Sequence, residues 1–272
     1  MLEKQAPQSS QKGKSLIIMG FASIGILFLI YFSVQNQEIT PDAMPGVERI
    51  AIGFYIIMIL AFGAIGLGLY QFHKQKANEK DGKLLSIIAA STFNSKSKKI
   101  FLTTFILYGI FFSLTSGILV YQPEVVFSYH YGVTVPSAHI TACCGEPGYM
   151  PKITVYLTEH LGLQIIPINL VLQLIVSYLV GLNVALAINA ISVSKKAGGL
   201  SGIGATTGLF IACPTCVGTF LSLFVSASSA VVFTLAITQL QTVFILITIP
   251  VLLATPFIMG RKLKAQSNNC QV

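Results

Sequence analysis

Residues 50–70, IAIGFYIIMILAFGAIGLGLY, decide the fold class, because they run without a charge, an amide or a serine or threonine hydroxyl. A helix rises 1.5 Å per residue, so a stretch of this length covers a hydrocarbon core of about 30 Å. Lipid offers the backbone no hydrogen-bond partner, and a span must therefore satisfy its own. Stretches of the same character occur at roughly 15–33, 100–120, 165–191, 200–224 and 230–259. The expected fold class is all-α: a polytopic membrane protein, one integral domain over 1–272, with six transmembrane helices in a bundle. The last stretch is long enough to tilt, or to break near Gln239–Gln241.

Composition points the same way. Hydrophobic residues make up 54% of the chain and charged residues 10%, against about 25% charged in a soluble domain. The net charge of +8 does not announce nucleic acid, since the basic residues fall in short segments between the spans. Lys4, Lys12 and Lys14 precede the first span. Lys74, Lys76, Lys80, Lys83, Lys96, Lys98 and Lys99 lie between the second and third, Lys195 and Lys196 between the fourth and fifth, and Arg261, Lys262 and Lys264 follow the sixth. If the spans alternate, all of these share one side, and Arg49 and Lys152 alone remain on the other. That asymmetry predicts cytoplasmic N- and C-termini in a cell membrane. The first span is expected to be a retained anchor: its apolar core exceeds a signal peptide's and no Ala-x-Ala site follows. Cys270 stands third from the end, which is not a prenylation box.

Two segments outside the spans are long enough to have structure. The 71–99 loop is expected to be a solvated, basic topological determinant, with the Leu84–Ala90 patch as an alternative interfacial helix on anionic lipid. The exoplasmic loop, 121–164, holds His130, His139, His160, Cys143, Cys144, Glu124, Glu146 and Glu159. Its prolines and glycines predict a turn at its centre. Val125–Val135 reads as a strand or hairpin arm, and Lys152–Leu163 as a helical turn or two on the membrane surface.

Chemistry is concentrated in the cysteines. Cys213-Pro214-Thr215-Cys216 lies inside the fifth apolar stretch. At helical spacing the two thiols share a face about 5–6 Å apart at Cβ. This is the spacing of redox pairs and of soft-metal sites, whereas a lone cysteine in a span is ordinary packing. Pro214 frees carbonyls upstream, and the glycines at 198, 199, 202, 204 and 208 favour a late or broken helix start. With a start near Thr207, Cys213 lies about 9 Å from the cytoplasmic end, far from the loop. Adjacent Cys143 and Cys144 do not suit a bond to each other. Together with His130, His139 and His160 they offer imidazole and thiolate ligands to copper or zinc, though in no compact finger pattern.

Polar residues recur inside spans: Gln173, Ser177 and Gly181 along one face, then Asn183 and Asn189, and Thr234, Thr238, Gln241, Thr242 and Thr248 in the last stretch. Helix packing is their expected role, with a polar pathway the alternative. Gly204 and Gly208 form a small-xxx-small pair suited to close helix contact. No Asp, Glu, Lys, Arg or His stands well inside a span, which argues against a conventional proton-driven carrier. Neither the glycines at 202–208 nor Gly13-Lys14-Ser15 has the spacing of a nucleotide-binding turn.

Three readings of function follow. In the first, Cys213, Cys216, Cys143 and Cys144 carry out thiol–disulfide electron transfer at or across the membrane, with an exported thiol protein as partner. The arrangement of paired membrane cysteines resembles that of the vitamin K epoxide reductase and cytochrome c biogenesis thiol-transporting families, with no alignable stretch. In the second, His130, His139, Cys143, Cys144, His160, Cys213 and Cys216 bind or transport a soft metal, copper or zinc. Cys143-Cys144-Gly145-Glu146-Pro147 resembles the vicinal pair of mercury-transport proteins, which carry theirs in a helix. In the third, the chain is a non-catalytic subunit whose partners are the lipid bilayer and other membrane subunits. No reading calls for nucleic acid.

Overall fold

The computed structural model describes residues 7–35, 44–79, 83–142, 148–196 and 249–261. The fifth expected span, most of the sixth, and all five cysteines lie outside the described residues. So do the glycines at 198–208, the threonines at 234–248 and Gln239–Gln241.

The described elements run α1 (Pro7–Gln35), α2 (Met44–Asn78), α3 (Leu84–Thr92), α4 (Ser95–Thr115), β1 (Leu119–Tyr121), α5 (Phe127–Tyr131), β2 (Ser137–Thr141), β3 (Lys152–Tyr156), β4 (Leu161–Ile165) and α6 (Pro167–Lys196). A further apolar helix, α7, is described over Ile249–Arg261. Four of these helices are long and apolar enough to cross a membrane, over Lys12–Val34, Pro45–Asn78, Ser95–Leu114 and Pro167–Asn189. They correspond to the first four expected spans.

Four expectations need correcting. The third span begins earlier than expected, at Ser95, and stops at Thr115. Gly117 then turns the chain at a φ of 72°, and Leu119–Tyr121 leaves as a strand rather than as the end of a helix. Leu84–Ala90 is not a solvated loop but a helix, as the alternative reading had it: it lies in α3, whose Ile88 and Ala89 are buried. The 121–164 loop is structured and carries a small sheet within a mostly helical fold, in keeping with the expected helical class. Lys152–Leu163, expected to be helical, forms a β-hairpin. Phe127–Tyr131, expected to be strand, is the short helix α5.

The sheet is antiparallel with strand order β1-β4-β3-β2. Its alternation explains both of its faces. Ala138, Ile140, Ile153, Val155, Leu163 and Ile165 share one face by register. From this face Ile140, Ile153 and Ile165 pack on a buried cluster of Tyr31, Ala51, Phe54, Tyr55 and Met58 from α1 and α2. Tyr31, Phe28 and Tyr55 surround Phe54 edge-on at 5.2–5.8 Å, the geometry aromatic quadrupoles prefer. The opposite face carries Ser137, His139, Thr141, Lys152, Thr154, Tyr156, Gly162 and Gln164. There α5 covers the sheet through Phe127, which is 2% exposed. Its ring packs over Gly162, 3.4 Å from where a Cβ there would stand.

The chain divides into two compact units: Met1–Gln75 with Ile110–Leu174, and Lys76–Gly109 with Ile175–Val272. The sheet and its helical support belong to the first. In it α1 and α2 approach closely at glycines, where a Cβ on Gly68 would stand 2.9 Å from the Gly13 carbonyl oxygen. In the second, Ile88 of α3 packs with Leu182 and Leu186 of α6, together with Phe101 and Met259. Val176, Leu179 and Leu252 form a neighbouring cluster with Tyr108.

The amides of α6 bond to neighbouring segments, the packing role expected of Gln173, Asn183 and Asn189. In the first unit the Gln173 amide donates to Ser113 Oγ at 2.7 Å and Asn169 to the Ser116 carbonyl at 3.3 Å. In the second, Asn183 donates to the Leu252 carbonyl at 3.0 Å, and Asn189 to Ser97 Oγ at 2.7 Å and to the Ser91 carbonyl. Gly181 leaves room for Phe101, whose ring lies 3.1 Å from where a Cβ would be.

Candidate functional site

The site nearest the expected chemistry is the stretch on either side of Cys143 and Cys144. Those two residues lie outside the described residues, but the chain leaves the sheet at Ala142 and is described again from Gly148. Both points are fixed. The Tyr31 hydroxyl of α1 donates to the Ala142 carbonyl, and Ala142 is 1% exposed. The Tyr55 hydroxyl of α2 lies 2.6 Å from the Pro151 carbonyl and 3.0 Å from that of Ile165, so one donor is shared between two strands' ends. The Ile168 N–H at the start of α6 donates to the Gly148 carbonyl at 3.1 Å. Gly148 itself turns at a φ of 86°, with Ile168 packed against it.

The need for these tyrosines is physical. A buried hydroxyl or carbonyl without a partner costs about 1–3 kcal/mol, so each cancels the other's penalty. Sequence reasoning weighed the amides, serines and threonines of the spans and passed over Tyr31 and Tyr55. The clue was available: a tyrosine within an apolar span must find a partner for its hydroxyl.

The three loop histidines are not gathered together. His160 sits in the β3–β4 turn with Nδ1 3.2 Å from the Gln122 carbonyl and 3.0 Å from that of Val125. Two acceptors facing Nδ1 assign a proton to that nitrogen. The same turn is stitched to the chain before α5 by the Gln122 N–H to the His160 carbonyl and the Phe127 N–H to the Glu159 carbonyl, both 2.9 Å. Glu159 then accepts from Ser128 Oγ at 2.7 Å and from the Ser128 N–H at 3.1 Å, meeting an otherwise orphan donor in the first turn of α5. The Ser128 hydroxyl holds the Glu159 carboxyl below the usual range, with the Ser128 N–H and His160 acting in the same direction.

His139 and His130 lie on an aromatic cluster instead. Tyr156 of β3 faces Phe127 at 5.2 Å, Tyr131 at 6.0 Å and His139 at 6.2 Å between ring centres. His130 stands edge-on to Tyr131 at 4.7 Å, and His139 Nε2 is 3.1 Å from Ser137 Oγ. Among the described residues no group of three or more His, Cys, Asp or Glu stands close enough to hold a metal. The expected ligands Cys143, Cys144, Cys213 and Cys216 lie outside those residues.

The class these features define is a helical chain with four helices apolar enough to span a membrane and a small sheet docked on two of them. Compared with family models, characterised proteins and solved structures, the chain matches none.

Proposed function

We propose that the chain is a six-span membrane protein that carries out thiol–disulfide exchange through Cys213/Cys216 and the adjacent Cys143 and Cys144. Both termini are cytoplasmic and the sheet is exoplasmic in this reading, which rests on the distribution of lysines between the spans. The chemistry balances simply. A reduced Cys213/Cys216 pair closing to a disulfide gives up two electrons and two protons, and a substrate disulfide taking them opens to two thiols. An exported protein is the substrate class for Cys143 and Cys144.

The observation that carries the reading is the anchoring of the chain around Cys143 and Cys144, by Tyr31 at Ala142 and by Tyr55 at Pro151. Reactive groups work best when their supports are rigid, and here both flanks are tied to apolar helices. A dithiol that must meet substrates repeatedly gains from such a frame.

The test is capture of the intermediate. A chain with Cys144→Ser, which removes one of two adjacent thiols, is expected to accumulate mixed disulfides with exported proteins on Cys143, released by reductant. If neither Cys143→Ser nor Cys144→Ser traps a partner, the exoplasmic half of the reading fails. Copper or zinc that purifies with the protein and falls in Cys143→Ser and Cys213→Ser variants would instead establish the soft-metal reading.

A further inference from the structure

The sheet has two edges, and they are unlike. β1 is three residues long, too short to serve as a template. β2 has five residues, Ser137–Thr141, paired along its whole length with β3. It holds no proline, lysine, other charge or bulge, the devices that normally blunt an edge strand. Among the described residues no backbone hydrogen bond reaches β2 from any element but β3. In an antiparallel ladder alternate residues turn their N–H and C=O groups away from the neighbouring strand, so β2 presents a row of them outward.

We propose that β2 pairs with β2 of a second copy, antiparallel about a two-fold axis through His139, to give a homodimer with one continuous eight-stranded sheet (four strands from each copy).

Three observations select a second copy as the occupant. The strand is self-complementary in that register: Ser137 faces Thr141, Ala138 faces Ile140 and His139 faces its own counterpart. Hydroxyl meets hydroxyl and apolar meets apolar, with no Asp, Glu, Lys or Arg repeated across the axis. A two-fold perpendicular to the sheet also keeps both copies' Ile140, Ile153 and Ile165 faces, which pack on α1 and α2, on the same side of the joined sheet, so neither copy's packed face is disturbed. Finally, Ala138, His139 and Thr141 are exposed, which leaves the edge open to a partner strand.

Size sets the strength. Five paired residues bury much less than the ~800 Å² per partner of a standard interface. The dimer is therefore weak in dilute detergent and forms in membranes, where confinement already removes part of the freedom that association costs.

The experiment uses full-length chains tagged at the C-terminus with donor or acceptor fluorescent proteins, reconstituted together in vesicles over a range of protein-to-lipid ratios. Wild type is expected to show saturable energy transfer above the random-proximity level. Chains carrying Ser137→Lys with Thr141→Lys place lysine opposite lysine at both ends of the pair, and are expected to lose about tenfold or more in association. Chains carrying Ser137→Glu with Thr141→Glu should lose as much. An equimolar mixture of the two, which sets lysine against glutamate in the proposed register, should regain transfer. His139→Gln, which keeps an uncharged polar side chain at the axis, should associate like wild type. Wild type at the random level, a dimer indifferent to the paired charges, or a mixture that does not recover would each overturn the proposal. Recovery in the mixture also shows that both variants fold, since unfolded chains have no edge to pair.

Discussion

At Tyr31 one hydroxyl reaches from an apolar helix to the Ala142 carbonyl, the last described atom group before Cys143. Tyr31→Phe keeps the ring against Phe54 and leaves that carbonyl buried without its donor, at a cost of about 1–3 kcal/mol. A lower unfolding temperature and faster proteolysis between 142 and 151 are expected; unchanged values in both Tyr31→Phe and Tyr55→Phe would show that the hydroxyls hold nothing. Glu159 yields a pH prediction. Its folded-state value is depressed from the ordinary 4.5 by Ser128, so the carboxylate's contribution is present above that value and disappears as pH falls through the folded one. Amide protection in α5, measured relative to the intrinsic exchange rate at each pH, should therefore fall on acidification below about pH 4.5 in wild type and show no such fall over that range in Glu159→Gln. The histidines illustrate what sequence could and could not supply at this scale. Their membership of one loop was legible, but His160 is held by carbonyls and His139 by its place on the sheet, neither of which spacing reveals.

Among elements, the four long helices were legible from unbroken hydropathy alone, and α6 was legible in its polar face as well. Its Gln173, Asn183 and Asn189 all bond to neighbouring segments. The sheet was not. Leu119–Tyr121 continues the apolar run of α4, and only the positive φ at Gly117 separates them. Lys152–Tyr156 and Leu161–Ile165 alternate over five residues each, too short a record for periodicity to tell strand from helix. For α5 the deciding contact, Phe127 on Gly162, lies 35 residues along the chain, beyond any local pattern. Glycine contacts supply the element-scale test. A Cβ on Gly68 would meet the Gly13 carbonyl oxygen at 2.9 Å. Gly68→Ala should thus force α1 from α2 and destabilise by about 1–3 kcal/mol. Gly66, beside which nothing stands within 4 Å, is the control: Gly66→Ala should be neutral or slightly stabilising, since alanine is the better helix former. Equal effects at the two positions would contradict the close approach.

For the whole molecule, charge placement and the cysteine pairs carry the account. Four membrane-length helices are established, and the proposed six spans put the sheet outside the cell and the lysines of 71–99 within. In a chain whose five native cysteines are replaced by serine, an impermeant maleimide should label Tyr129→Cys, a position 92% exposed on α5, in intact cells. It should reach Lys98→Cys, at the exposed start of α4, only after permeabilisation. The opposite pattern would invert the topology. The proposed function also assigns thiol exchange to Cys213-Pro214-Thr215-Cys216, and the redox state of that pair tests it most directly. Isolated membranes treated with a mild oxidant or with reductant, then quenched in acid and alkylated under denaturing conditions, should give a 213–216 peptide that gains two alkyl groups only after reduction. A peptide fully alkylated under both conditions would show that the two thiols never form a disulfide, and would contradict the thiol-exchange account.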